Sequence, residues 1–246
     1  MSTLPKRRLA GWAVAAACAL LLPAPGRAAT LPIVLDPNGP TIDSAYPDGT
    51  LSYDRGTGNF HSDSVPLSIT RIDPFVFGQF SSGNVSIDLF VDTSGNFVSN
   101  GSGFVLTGGV DLDGDGTDDA TGTLLTGTIT GFGADPAGPP TVAFNGTFVI
   151  TGGSFTQPIP LSGGGTQDPL FNVGDIGGFF LFAESVTSGT LGDFSASFSS
   201  DSGKDLEGPV LPAPPGAVLA LIGAGMLLSR STLRRRKLLA ALCNRP

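Results

Sequence analysis

Apolar and polar residues alternate along several short runs of this sequence, and this period of two constrains the fold more than any other feature. The apolar residues that share one face in four such runs are Val85, Ile87, Leu89 and Val91; Phe104, Leu106, Val110 and Leu112; Val142, Phe144, Phe148 and Ile150; and Phe194, Ala196 and Phe198. Successive side chains of a β-strand point to opposite faces, so each run predicts a half-buried strand. Gly, Asn-Gly and Pro separate the runs. We therefore predict an all-β domain, a single β-sandwich-like unit or a barrel, with phenylalanines in its core.

The predicted domain occupies residues 30–207, which is enough chain to bury a core of its own. Residues 134–140 and 157–167 are rich in Pro, Gly and polar residues, and we predict that both are loops. The polar stretch at residues 201–211 predicts a stalk that carries the domain. Neither of the two cysteines lies inside the domain. We therefore expect no disulfide there, and a stability that comes from packing or bound ions.

Charge is distributed unevenly along the chain. All 21 acidic residues lie within residues 30–207 with only three basic ones, Arg55, Arg71 and Lys204, which gives a net charge of −18 there against −8 for the whole chain. Nucleic-acid phosphates and anionic lipids are repelled by such a surface. We therefore exclude nucleic acid as a partner and expect a soluble domain that attracts cations.

The first 28 residues have the three parts of a secretory signal peptide. A basic stretch at residues 6–8 is followed by an apolar run at residues 9–22, and small residues at Gly26 and Ala28 precede the cleavage point. We expect export by the Sec translocon and cutting by signal peptidase after Ala28 or one residue later. The alternatives are a buried N-terminal helix, a twin-arginine signal and lipidation at Cys18, and the residues around each fit those patterns poorly.

A second membrane segment is predicted near the C-terminus. Residues 215–228 are uncharged and mostly apolar, and Arg234, Arg235, Arg236 and Lys237 follow. A permanent spanning helix needs about 20 apolar residues, so this anchor is short. The positive-inside rule keeps the basic cluster and the tail at 238–246 in the cytoplasm, with the domain outside the inner membrane. The alternative is a core helix with a solvated basic end, although nothing just upstream offers it a helical partner.

The order of these parts resembles the PEP-CTERM sorting signal of Gram-negative bacteria. Pro212-Ala213-Pro214 precedes the short span, the basic cluster follows it, and the resemblance covers residues 208–237. It implies that an exosortase, a membrane cysteine transpeptidase, processes the signal and passes the protein to the cell surface or matrix, often alongside exopolysaccharide. Ala213 stands where the family pattern has glutamate. The β-rich middle, for example GTLLTGTITGFG at residues 122–133, also resembles the ectodomains of such proteins, for which no activity is assigned.

Five aspartates crowd into nine residues, DLDGDGTDD at positions 111–119. The spacing matches the first part of a calcium-binding loop, in which Gly116 permits a tight turn. The expected ligands are the side chains of Asp111, Asp113 and Asp115, the carbonyl of Thr117, and Asp119 directly or through water. Position twelve is Gly122 instead of the glutamate of an EF-hand, so we predict a structural Ca²⁺ loop within a β-hairpin. The alternative is an acidic turn that binds no ion tightly.

Motifs typical of hydrolases are missing from the sequence. Gly-x-Ser-x-Gly and His-Glu-x-x-His do not occur, and we predict that the domain's one histidine, His61, is an exposed loop residue. We therefore expect a protein without enzymatic activity, exported to the cell surface or extracellular matrix. Its expected role is structural or adhesive, with links to exopolysaccharide or biofilm. The alternatives are a secreted hydrolase acting on polysaccharide, with paired aspartates as catalysts, and a lectin-like module.

Overall fold

The computed structural model describes residues 30–45, 50–135 and 142–211. Within them the chain forms eleven strands and one 3₁₀ turn, Ser154–Thr156, and no α-helix. The strands are β1 Thr41–Ala45, β2 Leu51–Asp54, β3 Asn59–Arg71, β4 Val76–Val91, β5 Phe97–Asp111, β6 Ala120–Asp135, β7 Val142–Gly152, β8 Ile159–Pro160, β9 Thr166–Gln167, β10 Ile176–Ser188 and β11 Phe198–Pro209. The prediction of an all-β fold is confirmed.

The nine main strands form a single antiparallel sheet that closes into a barrel. Its order is β1-β11-β10-β7-β6-β5-β4-β3-β2, and the circle closes because β1 pairs with β3 and β11 pairs with β2. Within the described residues, closure leaves this nine-stranded sheet without a free edge for another chain to extend. Of the two architectures that alternation allowed, the continuous closed sheet is the one observed, and the two separate sheets of a sandwich are not.

Two short strands share one position in this barrel. β1 pairs with β3 and with residues 204–207 of β11, whereas β2 pairs with the beginning of β3 and with residues 198–200 of β11. They therefore fill the two halves of one gap between β3 and β11. The barrel thus has eight strand positions, a size at which side chains fill the interior completely.

Phenylalanine supplies most of the large side chains in the barrel interior. The apolar residues assigned to one face by alternation are all buried, except Ala196. The phenylalanines with less than 2% exposure are Phe60, Phe104, Phe144, Phe148, Phe155, Phe179 and Phe198. Ring centroids of Phe104 and Phe148 lie 4.3 Å apart with nearly parallel planes. The prediction of a phenylalanine core is therefore confirmed. Burying each such ring stabilises the fold by about 1.5–3 kcal/mol.

The N-terminal segment crosses the outside of the barrel as a strap. Asn145 on β7 is buried beneath it, accepts a hydrogen bond from the Leu31 amide (2.8 Å) and donates one to the Leu31 carbonyl (2.7 Å). Further along, Leu35 forms a β-bridge with Val210. A cut after Ala28 would leave every one of these contacts in place.

Chain direction places the connections at two ends of the barrel. We call one the exit end: it contains the β3–β4 turn, the β5–β6 loop, residues 153–175 between β7 and β10, and the chain leaving β11 at residues 209–211. The opposite end contains the β2–β3 and β4–β5 turns. The β5–β6 loop carries the predicted metal ligands.

The predicted stalk at residues 201–211 was wrong. Most of it belongs to β11, which hydrogen-bonds to β10 along residues 199–209 and to β1. Its composition is polar and rich in glycine, and only its pairing partners, both distant in sequence, make it a strand. The predicted loop at 157–167 contains the small β8–β9 hairpin.

Both predicted membrane segments lie outside the described residues. The signal peptide at 1–28 and the sorting-signal residues Pro212, Ala213, Pro214, Arg234, Arg235 and Arg236 belong to this part of the chain. Among the residues that are described, no helix has the length and apolarity to cross a bilayer.

Candidate functional site

The aspartate loop joins β5 to β6 at the exit end. Asp111, Asp113 and Asp115 each place a carboxylate oxygen so that the three lie within 4.8 Å of one another. Asp111 organises the turn: it accepts hydrogen bonds from the amides of Gly114 (2.7 Å) and Gly116 (2.8 Å). Both glycines have positive φ, of 79° and 88°, a backbone conformation that other residues rarely adopt. The DGDG sequence therefore forms the tight turn that brings the three carboxylates together.

The other two predicted ligands are placed differently. The Asp119 carboxylate accepts hydrogen bonds from the Leu112 amide (2.7 Å) and from the amide and hydroxyl of Ser162 (2.6 and 2.9 Å). Burial raises the pKa of Asp119, but these donors outweigh burial and hold the pKa below its usual value. Thr117 donates its amide to Asp115 at 2.8 Å. The Asp119 carboxylate thus holds the loop together at the position where the pattern placed a fourth carboxylate ligand.

A neighbouring hairpin turn covers the loop. Asp113 accepts a hydrogen bond from the Gly163 amide at 2.8 Å, next to the contact between Asp119 and Ser162. Two carboxylates therefore bind consecutive amides of the β8–β9 turn. This contact, 43 to 50 residues apart in sequence, could not be seen in the local pattern.

Three clustered carboxylates on a tight turn suit a hard cation such as Ca²⁺, which takes several oxygen ligands. Asp111, Asp113 and Asp115 supply such oxygens, with partial exposure that leaves room for water as further ligands. Exposed acidic groups also cluster without an ion, stabilised by amide donors as here. The Ca²⁺ site stays a prediction.

His61 lies on β3, with its ring on the outer side of the barrel and partly buried, and not in an exposed loop as predicted. Its Nδ1 lies 2.7 Å from Asp88 on β4, and its Nε2 lies 2.7 Å from Asp63. Burial lowers the His61 pKa, but the hydrogen bonds and charges of Asp88 and Asp63 outweigh burial and raise the pKa above its usual value. The group is a histidine with a carboxylate within hydrogen-bond distance of each ring nitrogen, which forms two ion pairs when the ring is protonated.

A carboxylate that the sequence did not single out lies inside the barrel. Glu207 on β11 is fully buried, and the hydroxyl of Ser44 on β1 lies 3.5 Å from its Oε2. Ser62, Ser64 and Ser200 on the adjoining strands are buried as well. These five polar residues lie beside the phenylalanines at the place where β1 and β2 close the sheet. A single glutamate in a polar stretch gave no signal of this placement.

The exit end also contains an open cavity of about 270 Å³. Its walls include Asp36, Arg71, Asp73, Asn172 and Asp175, so both signs of charge face it. The Arg71 Nε donates to the Asp73 carbonyl at 3.1 Å, which fixes the guanidinium at the β3–β4 turn.

Comparison of this chain with protein-family models, with curated proteins and with solved structures finds no match.

Proposed function

We propose that this chain is an exported barrel domain, held for a time at the outer face of the inner membrane by its C-terminal segment and then passed by an exosortase to the cell surface or matrix. The exit of the chain from the barrel carries this proposal. β11 ends at Pro209, and among the described residues the last backbone hydrogen bond beyond it is the one from the Leu211 amide to the Val34 carbonyl, at 2.9 Å. Pro212 follows directly. Cleavage anywhere after Leu211 would therefore leave every described strand of the barrel in place.

The proposed role in the matrix is structural or adhesive and not enzymatic. Both ring nitrogens of His61 are engaged by carboxylates, which supports this part of the proposal. The neighbouring Ser62 is buried on the inner side of β3, opposite the His61 ring. A histidine that activates a serine needs one free nitrogen within hydrogen-bond reach of the hydroxyl. Extracellular polysaccharide is the partner that we propose for the domain.

A bound Ca²⁺ ion is proposed as a structural element of the same domain. Its carboxylates would be those of Asp111, Asp113 and Asp115, whose mutual repulsion the ion would offset. The convergence of three carboxylates supports this assignment.

A reporter fusion tests the tether. The junction follows Leu211, so that the fusion contains none of β11, which ends at Pro209. A secreted reporter carrying residues 212–246 should fractionate with the inner membrane, and the same fusion lacking residues 215–228 should be found outside as a soluble protein. Soluble export of both fusions would contradict the proposal.

A further inference from the structure

The most exposed large apolar side chains of the described residues all lie at one end of the barrel. They are Phe75 (76% exposed), Val34 (63%), Ile72 (61%), Val173 (60%) and Ile176 (52%). All five belong to the exit end: two in the β3–β4 turn, two at the start of β10 and the loop before it, and one in the strap. We call these five residues the apolar rim.

The apolar rim surrounds the 270 Å³ cavity of the exit end. Each of its residues is within two positions of a residue that lines the cavity. Ile72 and Phe75 lie on either side of Asp73, Val173 follows Asn172, Ile176 follows Asp175, and Val34 lies two positions before Asp36. The cavity walls bring these three segments together. Segments about 35 to 140 positions apart in sequence thus place exposed apolar side chains around one cavity.

The chain leaves the barrel through the same surface. The Val210 amide donates to the Ile176 carbonyl and the Leu211 amide to the Val34 carbonyl, both at 2.9 Å. Only residues 212–214 then separate Leu211 from the apolar run at 215–228. Three residues reach at most about 10 Å, even when fully extended. An inserted run would therefore hold the apolar rim close to the bilayer interface.

We propose that the apolar rim rests on the outer surface of the phospholipid bilayer while the C-terminal segment is inserted. This inference depends on the tether described under Proposed function. Exposed aromatic and aliphatic side chains are stabilised when they enter the headgroup region, where their apolar area leaves water. The aspartate loop belongs to the same end, but it joins β5 to β6, which lie opposite β11 in the order of the barrel strands. A barrel tilted toward the rim would therefore bring the rim to the lipid and keep the aspartates in water.

Charge decides which lipid fits. The domain carries 21 acidic residues against three basic ones, so an anionic bilayer repels it. Zwitterionic phospholipid is the surface we infer, with contact through apolar side chains and without a basic patch. Rim contact should persist at high salt, because it does not depend on attraction between charges.

Tryptophan fluorescence tests the contact. The protein is the chain from residue 29 to 246, which has no tryptophan because the only one is Trp12. Two variants each introduce one tryptophan: Phe75→Trp in the apolar rim, and Val98→Trp, 43% exposed at the opposite end. Both are reconstituted into vesicles of phosphatidylethanolamine and phosphatidylcholine with brominated acyl chains, and flotation confirms that the chain is inserted.

If the inference holds, the chain floats, brominated lipid lowers the emission of Phe75→Trp about twofold or more, and Val98→Trp is unaffected. Flotation without quenching of Phe75→Trp would overturn the rim contact and leave the tether intact. Flotation that survives deletion of residues 215–228, or no flotation at all, would overturn both. The tryptophan of Phe75→Trp could instead be shielded from water but not quenched by brominated lipid, in a sample that also gives a crosslinked dimer. That result would assign the rim to contact with a second copy of the chain and overturn the bilayer contact.

Discussion

Removing the ring of Phe148 should leave a cavity that the surrounding barrel cannot refill. The ring is fully buried and stacks on Phe104, with centroids 4.3 Å apart. It also lies directly over the backbone of Gly127 and Gly177, so a Cβ on either glycine would overlap it. Neither glycine has a side chain that could move into the space. We expect Phe148→Ala to cost about 4–5 kcal/mol, the upper part of the range for such truncations.

The same geometry predicts that the effect of a second substitution on stability depends on whether the Phe148 ring is present. Gly177→Ala should destabilise the wild-type barrel by about 1–3 kcal/mol, because the new methyl group meets the Phe148 ring. In the Phe148→Ala background the methyl group enters the cavity, and Gly177→Ala should be neutral or stabilising. The coupling between the two sites should reach about 2–3 kcal/mol.

Urea denaturation of residues 30–211 gives the free energy of unfolding of the wild type, the two single variants and the double variant. Thermal melting is the second probe. A loss of 4–5 kcal/mol corresponds to a fall in Tm of roughly 10–15 °C for a domain of this size. Phe182→Ala is the control, since Phe182 is 38% exposed on β10, and it should cost about 1 kcal/mol or less. An equal cost of Gly177→Ala in both backgrounds would contradict this packing of the Phe148 ring against Gly177.

Three further predictions concern single groups. Ca²⁺ should raise the Tm of the wild type but not that of Asp113→Asn. Asp92→Asn is the control, since Asp92 lies in a similar turn at the opposite end, and this variant should respond to Ca²⁺ like the wild type. An unchanged Ca²⁺ response in Asp113→Asn would contradict the metal site. The pKa of His61 is raised in the folded protein, so protonation of His61 stabilises the fold. This stabilisation is complete below about pH 6.5 and is lost as the pH rises through the raised pKa. Urea midpoints should therefore fall less from pH 6 to about 9 in His61→Gln than in the wild type, and equal slopes would refute the assignment. Asn145→Ala should lower the free energy of unfolding by about 1–3 kcal/mol, because the backbone amide and carbonyl of Leu31 lose their hydrogen-bond partner. Hydrogen exchange at the Leu31 amide should become faster. Unchanged exchange there would show that other contacts hold the strap.

Local alternation was enough to predict most of the core. Val85, Ile87, Leu89 and Val91 lie on one face because a strand has a period of two, and all four are buried. The end of the domain was harder to locate, since residues 201–209 look polar and flexible in isolation. They form a strand because β10 and β1 offer them hydrogen-bonding partners. Closure of the sheet depends on such distant pairings, which a single sequence does not display.

In the candidate metal site too, local features were predictable from the sequence and contacts between distant residues were not. The turn around Gly114 and Gly116 follows from local backbone preferences, and it brings together the three carboxylates that the spacing indicated. Asp119 was assigned by its position in the pattern alone. Its carboxylate also accepts a hydrogen bond from the Ser162 amide, 43 residues further on, which the pattern did not indicate. The ion pairs of His61 were missed for a similar reason, because Asp88 lies on the neighbouring strand.

Mass spectrometry of the mature protein, isolated from cells that express it with its own export and sorting machinery, tests the central claim most directly. We expect an N-terminus at Ala29 or Thr30 and a C-terminus beyond Leu211 but before the basic residues at 234–236. A protein that keeps residues 1–28, or that retains Arg234, Arg235 and Arg236 after reaching the cell surface, would contradict it.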